Sequence, residues 1–354
     1  MEKTIRLLAA VLGVQLLLAL GLSFTGPHLS APATATPLLG FDAGKVDHLT
    51  IEGPQAAKVV LTRSDGGWRL PDAADFRADR DKIEQLLKRL AELRGGTPVA
   101  TTPGAQQRFR VSDTDFERRI TLSAGDQTLG TLYLGTAPNL RQINARAANS
   151  EAILAVELGA HEFPVKIDGW IDRTVLRVPH EEITTIDVAG LQLARVPAAT
   201  PTTGADVKAD PGHPAGDANA DAATGTAPQT HWQATGLAAG ESLDSAAADS
   251  LAAKLADISI SALLGTEEKI EYGLRKPVLR LQVTRKGGAP VEYRLGKALQ
   301  KDEYTLKLSN RPEYFRLPSY SADQLLKASA RQALVPVATP GSTPEQPKPA
   351  AAKK

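Results

Sequence analysis

The chain contains no cysteine in its 354 residues. Without a thiol the protein has no disulfide, no thiolate ligand for a metal, no cysteine nucleophile and no cysteine that could carry a lipid. Any attachment to a membrane must therefore be made by the polypeptide itself. The remaining composition is that of a globular protein, with 42% hydrophobic and 23% charged residues. The length suits two ordinary domains.

An excess of charge of either sign is also missing. The chain has 41 basic and 40 acidic residues, which gives a formal charge of +1. A protein with so little net charge has no overall field that attracts a polyanion. We therefore expect no nucleic acid among its partners.

Patterns that indicate catalysis or a cofactor are absent as well. The six histidines are scattered, and the His-Glu-Glu of residues 180–182 lacks the second histidine that a helical zinc site needs. Neither the Gly-x-Ser-x-Gly of serine hydrolases nor a glycine-rich phosphate loop occurs. The sequence therefore predicts no catalytic residues, no metal and no cofactor.

One long apolar run is present, at residues 7–24 (LLAAVLGVQLLLALGLSF), and it follows Lys3 and Arg6. Eighteen helical residues at about 1.5 Å each span roughly 27 Å, close to the hydrocarbon core of a bilayer. Basic residues on the short side favour a cytoplasmic segment at 1–6 and export of the rest. The alternative is a cleaved signal peptide, with the Ala-Thr-Ala of residues 33–35 as its processing site. The length of the run favours the uncleaved transmembrane anchor.

Beyond the anchor the chain repeats itself. DHLTIEG at 47–53 is echoed by TTIDVAG at 184–190, and LYLG at 132–135 is echoed by YRLG at 293–296. Two such units indicate a duplicated domain. The duplication predicts a first repeat at 42–182 and a second repeat at 183–338.

Each repeat has the pattern of an antiparallel sheet with helices. Short alternating or β-branched segments predict strands, with hairpins across the turns at 124–127 and 285–288. Leucines at helical spacing predict a helix around residues 83–93 and another around 251–258. The fold class is therefore α+β: two tandem repeats of an antiparallel sheet covered by helices, after one transmembrane helix. Closing helices are expected at 163–176 and 321–334.

Three segments have compositions typical of linkers or disorder. Residues 25–41 form a spacer rich in Pro, Ala and Thr. Residues 198–230 are rich in Ala, Gly, Pro, Thr and Asp and cannot bury enough apolar surface to offset the entropy of ordering. They interrupt the second repeat and are not the junction between repeats. The tail at 339–354 has the same character.

The three tryptophans are the candidate residues of structural or interdomain importance. Trp68 and Trp232 hold equivalent places in the two repeats, either as paired aromatic platforms or, as we favour, as core anchors beside a Leu-rich helix. Trp170, with Asp172 and Arg173, lies near the junction. This group is the best candidate for holding the domains in a fixed orientation, and its alternative is simple packing of helix on sheet.

A cluster of acids lies beside arginines in the first repeat. Asp113, Asp115 and Glu117 neighbour Arg110 and Arg118. Paired carboxylates can perform acid and base catalysis, but a run of mixed charge is more often a solvated surface loop. We favour the loop.

The order of these features resembles a bacterial family of domains of unknown function, numbered 4340. The resemblance implies an inner-membrane protein with one transmembrane pass and a periplasmic body, and it implies companions among ABC-type export or gliding-motility systems. It supplies no catalytic residues. The first repeat departs from the pattern, since Phe-Arg-Val at 109–111 stands where a Tyr-Gly-Leu is expected. The resemblance rests on Trp68, Trp232, residues 170–173, the Tyr-Gly-Leu of 272–274, Pro277 and the Leu-Gly strand ends.

From these features we expect a non-catalytic scaffold or accessory subunit of an ABC-type transport or envelope complex, bound to the membrane through residues 7–24. An enzyme that processes an envelope polymer is the main alternative, with a cleft as its active site. A periplasmic ligand-binding module is the third hypothesis.

Overall fold

A computed structural model describes Gln15 and residues 37–197, 230–298 and 302–336. These residues form two eight-stranded antiparallel sheets with few helices. The expected antiparallel sheets are confirmed, while the protein is more strongly β than the α+β class implies.

The first sheet has the spatial order β4-β3-β2-β1-β5-β6-β7-β8. Its hairpin of β5 and β6 turns where the sequence predicts, between Ala124 and Gln127. Strands β1 to β8 are His48–Glu52, Lys58–Ser64, Gly67–Leu70, Phe76–Arg77, Arg118–Ala124, Gln127–Leu134, Ile143–Ala147 and Leu154–Val156.

The second sheet has the spatial order β11-β10-β9-β13-β14-β15-β16-β12. Strands β10 and β11 pair directly, with Pro197 opposite Thr230, so residues 198–229 connect two adjacent strands. Strands β9 to β16 are Ile183–Val188, Leu191–Pro197, Thr230–Thr235, Ala262–Leu263, Leu279–Arg285, Val291–Lys297, Tyr304–Leu308 and Tyr314–Leu317.

Seven strands follow the same order in both sheets. The series β3-β2-β1-β5-β6-β7-β8 corresponds to β11-β10-β9-β13-β14-β15-β16. The register repeats as well, because Arg63 lies opposite Trp68 and Arg195 lies opposite Trp232. The two sheets differ at their ends, where β4 extends the first and β12 extends the second.

Helices within the described residues are few and mostly short. In α1 the apolar positions spaced three and four apart are the buried ones, as expected for an amphipathic helix. Helix α3 is capped by Asp244, whose carboxylate accepts from the backbone N–H groups of Ala246 and Ala247. It packs on α4 and lies over β9 and β11. Helices α1 to α5 are Arg80–Glu92, Pro103–Arg108, Ser245–Ala256, Ser319–Ser329 and Arg331–Leu334.

The closing helix predicted at 163–176 is wrong. The structure has single 3₁₀ turns at Ala160–Glu162 and Ile167–Gly169 instead. Pro164 removes a backbone donor and disfavours helix in the residue before it, and Gly169 favours a turn. The corresponding prediction for the second repeat is confirmed by α4 and α5.

The chain divides into two compact units. The first contains the described parts of Met1–Val60 and Lys82–Val165, and the second contains Leu61–Asp81 and the described parts of Lys166–Lys354. In the first unit, Leu39 is buried and the N–H of Leu38 donates to the carbonyl of Leu93. The sequence bounds 42–182 and 183–338 stay a prediction.

Several predicted segments lie outside the described residues. These are the cytoplasmic segment 1–6, the anchor 7–24 apart from Gln15, most of the spacer and of the insert, and the tail 339–354. Within the part of the chain that the structure describes, no helix is both long and apolar enough to cross a bilayer.

Candidate functional site

The second unit contains a cavity of about 840 Å³ on one face of its sheet. Tyr304 of β15 donates to Asp323 of α4, so it lies on the helix-covered face. Side chains alternate along a strand, which places Thr305 on the opposite face, where it lines the cavity. The lining residues are Leu263, Leu264, Lys269, Ile270, Glu271, Tyr272, Ala298, Glu303, Thr305 and Arg316.

The floor of the cavity is polar. Thr305 and Arg316 are partners in the register of β15 and β16. The Nε of Arg316 lies 3.3 Å from a carboxylate oxygen of Glu303. The Thr305 side chain is 97% buried (3% exposed), and among the described residues its hydroxyl has no hydrogen-bond partner. The floor therefore presents the Thr305 hydroxyl and the Arg316 guanidinium to the cavity as hydrogen-bond donors.

The wall of the cavity is apolar and aromatic. Leu263 and Leu264 lie beside Tyr272, whose ring centroid is 5.5 Å from that of Tyr314. The Tyr272 hydroxyl donates to the Leu264 carbonyl at 2.9 Å. Burial raises the pKa of Tyr272 above its ordinary value of 10.0, and the Glu271 carboxylate raises it further. At neutral pH this tyrosine is a fixed hydrogen-bond donor and not a base.

The position of the segment that covers the cavity is fixed by close contact between the 272–274 turn and strand β14. Gly273 has φ +68°, a left-handed conformation that favours glycine. A Cβ on Gly296 would collide with the carbonyl of Tyr272. The Leu-Gly at the end of β14 is therefore a steric requirement, because the 272–274 turn crosses directly over it.

The first unit has the same crossing, and the pocket lined in part by Arg110 there has a volume of about 440 Å³. Phe109 and Arg110 cross over Gly135, and Arg110 takes the left-handed conformation with φ +56°. Phe-Arg-Val at 109–111 and Tyr-Gly-Leu at 272–274 therefore occupy equivalent positions in the structure as well as in the sequence. Here the covering segment forms α2 and buries Ala105 in a cluster with Val111, Tyr133 and Ile153.

The covering segment of the second unit carries charge where the first carries alanine. It runs from Leu264 to Gly273 and contains Glu-Glu-Lys-Ile-Glu at 267–271, all exposed. These side chains do not fill the space over Thr305, and Ile270 is 64% exposed at the rim. The cavity follows from this difference between the repeats.

Trp232 belongs to a second polar group in the same unit. Its side chain is buried and its indole N–H donates to Asp249 at 3.0 Å. The guanidinium of Arg195 lies 4.9 Å from the Trp232 ring and contacts both Asp249 and His180. His180 Nε2 is 3.3 Å from the same Asp249 oxygen. This arrangement ties β10, β11 and α3 together around one carboxylate.

Trp68 is buried like its counterpart in the second repeat, on β3. Its indole nitrogen has no hydrogen-bond partner among the described residues. The recurrence of an arginine opposite each tryptophan, Arg63 and Arg195, supports core anchoring over exposed aromatic platforms.

The structure gathers Trp170, Asp172 and Arg173 at a junction inside the second unit. Trp170 is fully buried, and its carbonyl accepts from the N–H of Asp79. The Asp172 carboxylate lies 3.2 Å from Arg77 and also accepts from the hydroxyl of Thr174. Further along, the Arg173 carbonyl accepts from Ile260 N–H. The group joins Leu61–Asp81 to the body of this unit, and its proposed role between domains stays a prediction.

The acidic cluster of the first repeat is tied up in ion pairs. Arg110 pairs with Asp115 and Glu117. Asp113 is mostly exposed and lies 2.6 Å from Arg146, whose buried guanidinium also donates to the carbonyl of Val111. Each acid has a basic neighbour, which suits a structural loop.

Sequence reasoning missed the residues of the cavity. Thr305 and Arg316 lie in strands whose pattern shows only alternation, and no motif marks them. A comparison of the two repeats could have pointed to the site, because a charged segment at 267–271 aligns with one that contains the buried Ala105. Within the described residues, no group of three or more His, Asp or Glu side chains is arranged to hold a metal ion.

A family model described as Domain of unknown function (DUF4340) matches residues 68–277, which is more than half of the chain. The match begins at Trp68 and ends at Pro277, two residues on which the sequence resemblance rests. No curated protein and no solved structure matches the chain.

Proposed function

The chain belongs to the DUF4340 family, and on that premise we propose that it is a membrane-anchored periplasmic protein that acts as a non-catalytic accessory subunit or scaffold. The complex it serves is an ABC-type transport or envelope complex of the bacterial inner membrane. Residues 7–24 supply the single transmembrane pass, because they form the one long apolar run of the chain.

The cavity of the second unit is the observation that carries this proposal. Its basic and acidic groups balance, and Glu303 and Arg316 pair with each other. The hydroxyl of Tyr272 is committed to a backbone carbonyl. Such a site is equipped to hold a partner by apolar contact and hydrogen bonds. Binding is thus the better-supported use of the site.

The two alternatives have weaker support. For an enzyme, the nearest arrangement is His180 with Asp249, but both also contact Arg195, and the Asp249 carboxylate accepts from Trp232 as well. This carboxylate therefore has a structural role already. For a free periplasmic ligand-binding module, the same cavity is suitable, and only retention in the membrane separates that hypothesis from an accessory subunit.

The test is purification of the full-length protein from its own membranes in mild detergent, with mass spectrometry of its N-terminus and of co-purifying chains. We expect an intact N-terminus and a stoichiometric membrane-complex partner. A mature N-terminus near Thr36 together with a protein that purifies alone would overturn the proposal and favour the free binding module.

A further inference from the structure

We propose that the cavity over β15 and β16 binds a short, uncharged, apolar peptide segment. This inference rests on the proposed function and deepens it, because it specifies which chemical groups of the partner contact the cavity. The occupant is a stretch of extended chain that brings backbone carbonyls to the floor and one or two aliphatic side chains to the wall.

The floor selects a hydrogen-bond acceptor. The Thr305 hydroxyl lines the cavity from a side chain that is 97% buried (3% exposed), without a partner among the described residues. Arg316 also lines the cavity, with its Nε 3.3 Å from a Glu303 carboxylate oxygen and its side chain 36% exposed. A peptide carbonyl can accept from the Thr305 hydroxyl and from the Arg316 guanidinium.

The balance of charge selects a neutral occupant. Lys269 and Arg316 are the two cations of the lining, and Glu271 and Glu303 are its two anions. A charged ligand of either sign would be attracted by two of these groups and repelled by the other two. Its net electrostatic interaction with the lining is therefore small. A peptide backbone is neutral and presents a strong acceptor at every residue.

The wall selects aliphatic side chains. Leu263, Leu264 and Tyr272 are the apolar and aromatic lining residues, Leu264 packs against the cluster that contains Tyr272, and Ile270 is exposed. The volume of about 840 Å³ is within the range of sites that enclose small ligands. Binding of the peptide as an additional strand at the sheet edge is less favourable than binding in the cavity, because the Leu263 N–H of edge strand β12 already donates to the Asp168 carboxylate at 3.3 Å.

The experiment is calorimetric titration of the full-length protein in detergent with the blocked peptide N-acetyl-Leu-Val-Leu-amide. We expect binding that weakens about fivefold in Thr305→Val, which removes one hydrogen bond of about 1 kcal/mol at constant shape. Ile270→Asp should weaken it by roughly tenfold or more through lost apolar contact. The matched controls are Thr121→Val on β5 and Val278→Asp, an exposed site outside the cavity.

Three outcomes would overturn the inference. They are absence of peptide binding to the wild-type protein, equal affinity in Thr305→Val and Thr121→Val, and tighter binding of sodium octanoate than of the blocked peptide. Octanoate has a comparable apolar body with a free carboxylate, so it tests the charge argument directly.

The two proposals can fail separately. If a membrane partner co-purifies with wild type and Ile270→Asp alike, the accessory function stands and the cavity is not its contact. If the peptide binds as expected but no partner co-purifies and the N-terminus is cleaved, the cavity is a ligand site and the accessory function is wrong.

Discussion

At the scale of single residues, the two repeats meet the same steric constraint at the end of a strand. Gly135 and Gly296 each lie beneath a backbone turn whose carbonyl would collide with a Cβ. At the left-handed position of this turn the second repeat has Gly273 and the first has Arg110. A non-glycine residue there costs about 1 kcal/mol or more, and ion pairs with Asp115 and Glu117 help to hold it.

Gly296→Ala should therefore destabilise the protein strongly. The added methyl group meets the backbone of the 272–274 turn, which can yield only by moving the cover of the cavity. We expect a loss of free energy of unfolding on the order of 3 kcal/mol, measured by urea denaturation. Gly288→Ala is the matched control, since its Cβ would make only an ordinary contact with Arg285. Equal midpoints for the two variants would contradict the crossing geometry.

At the scale of elements, side chains protect the outer strands of the sheets. The backbone N–H of Trp232 in edge strand β11 donates to the hydroxyl of Ser245. The backbone N–H of Leu263 in edge strand β12 donates to the carboxylate of Asp168. An unpaired strand edge is a template for unwanted association. Each of these contacts occupies one backbone donor of an edge strand of the second sheet.

Strands β1 and β5 are joined by an ion pair that makes stability depend on pH. Glu52 faces Arg119 in the register, and the hydrogen bond from this arginine lowers the pKa of Glu52 below its ordinary 4.5. A lowered pKa stabilises the fold above the unfolded-state value, and this stability is lost as the pH falls through the folded-state pKa.

We expect Glu52→Gln to lose about 1 kcal/mol or less at pH 7. The difference between variant and wild type should begin to shrink below pH 4.5 and disappear below the lowered pKa, where folded wild-type Glu52 is neutral as well. Thermal unfolding from pH 7 to pH 3 measures it. A difference that stays constant over this range would show that the pair contributes nothing through its charge.

At the scale of the whole molecule, duplication explains most of the architecture. Seven strands recur in one order, and the second repeat accepts a long insertion between β10 and β11 without loss of their pairing. Pro197 and Thr230 are cross-strand neighbours, so a short turn can join them. The cost of closing a flexible loop grows only slowly with its length.

Replacement of residues 198–229 by a four-residue Gly-Asn turn should keep the fold and raise the free energy of unfolding by about 1 to 2 kcal/mol, since loop length falls eightfold. Far-ultraviolet circular dichroism and urea denaturation measure the two effects. A collapse of the β signal would show that the insertion takes part in the folded second repeat.

The sequence alone determined the duplication and most of the strands, while the membrane localisation that it indicates stays a prediction. Alternation, turn residues and leucine spacing are local signals, and they predicted the hairpins at 124–127 and 285–288 and the helix around 83–93. Short elements held by distant partners gave no such signal, so α2, β4 and β12 were missed. The family was also predictable, because the order of Trp68, Trp232 and the Leu-Gly strand ends can be recognised in the sequence without knowledge of the fold.

Only the tertiary structure decided where a ligand can bind. Thr305 and Arg316 meet because β15 and β16 pair in one register, and the cover above them comes from residues more than thirty positions earlier. Whether that cover fills the space depends on how side chains pack, as the buried Ala105 of the first unit and the exposed Ile270 of the second show. Packing is a property of residues brought together by folding, and local sequence patterns carry no record of it.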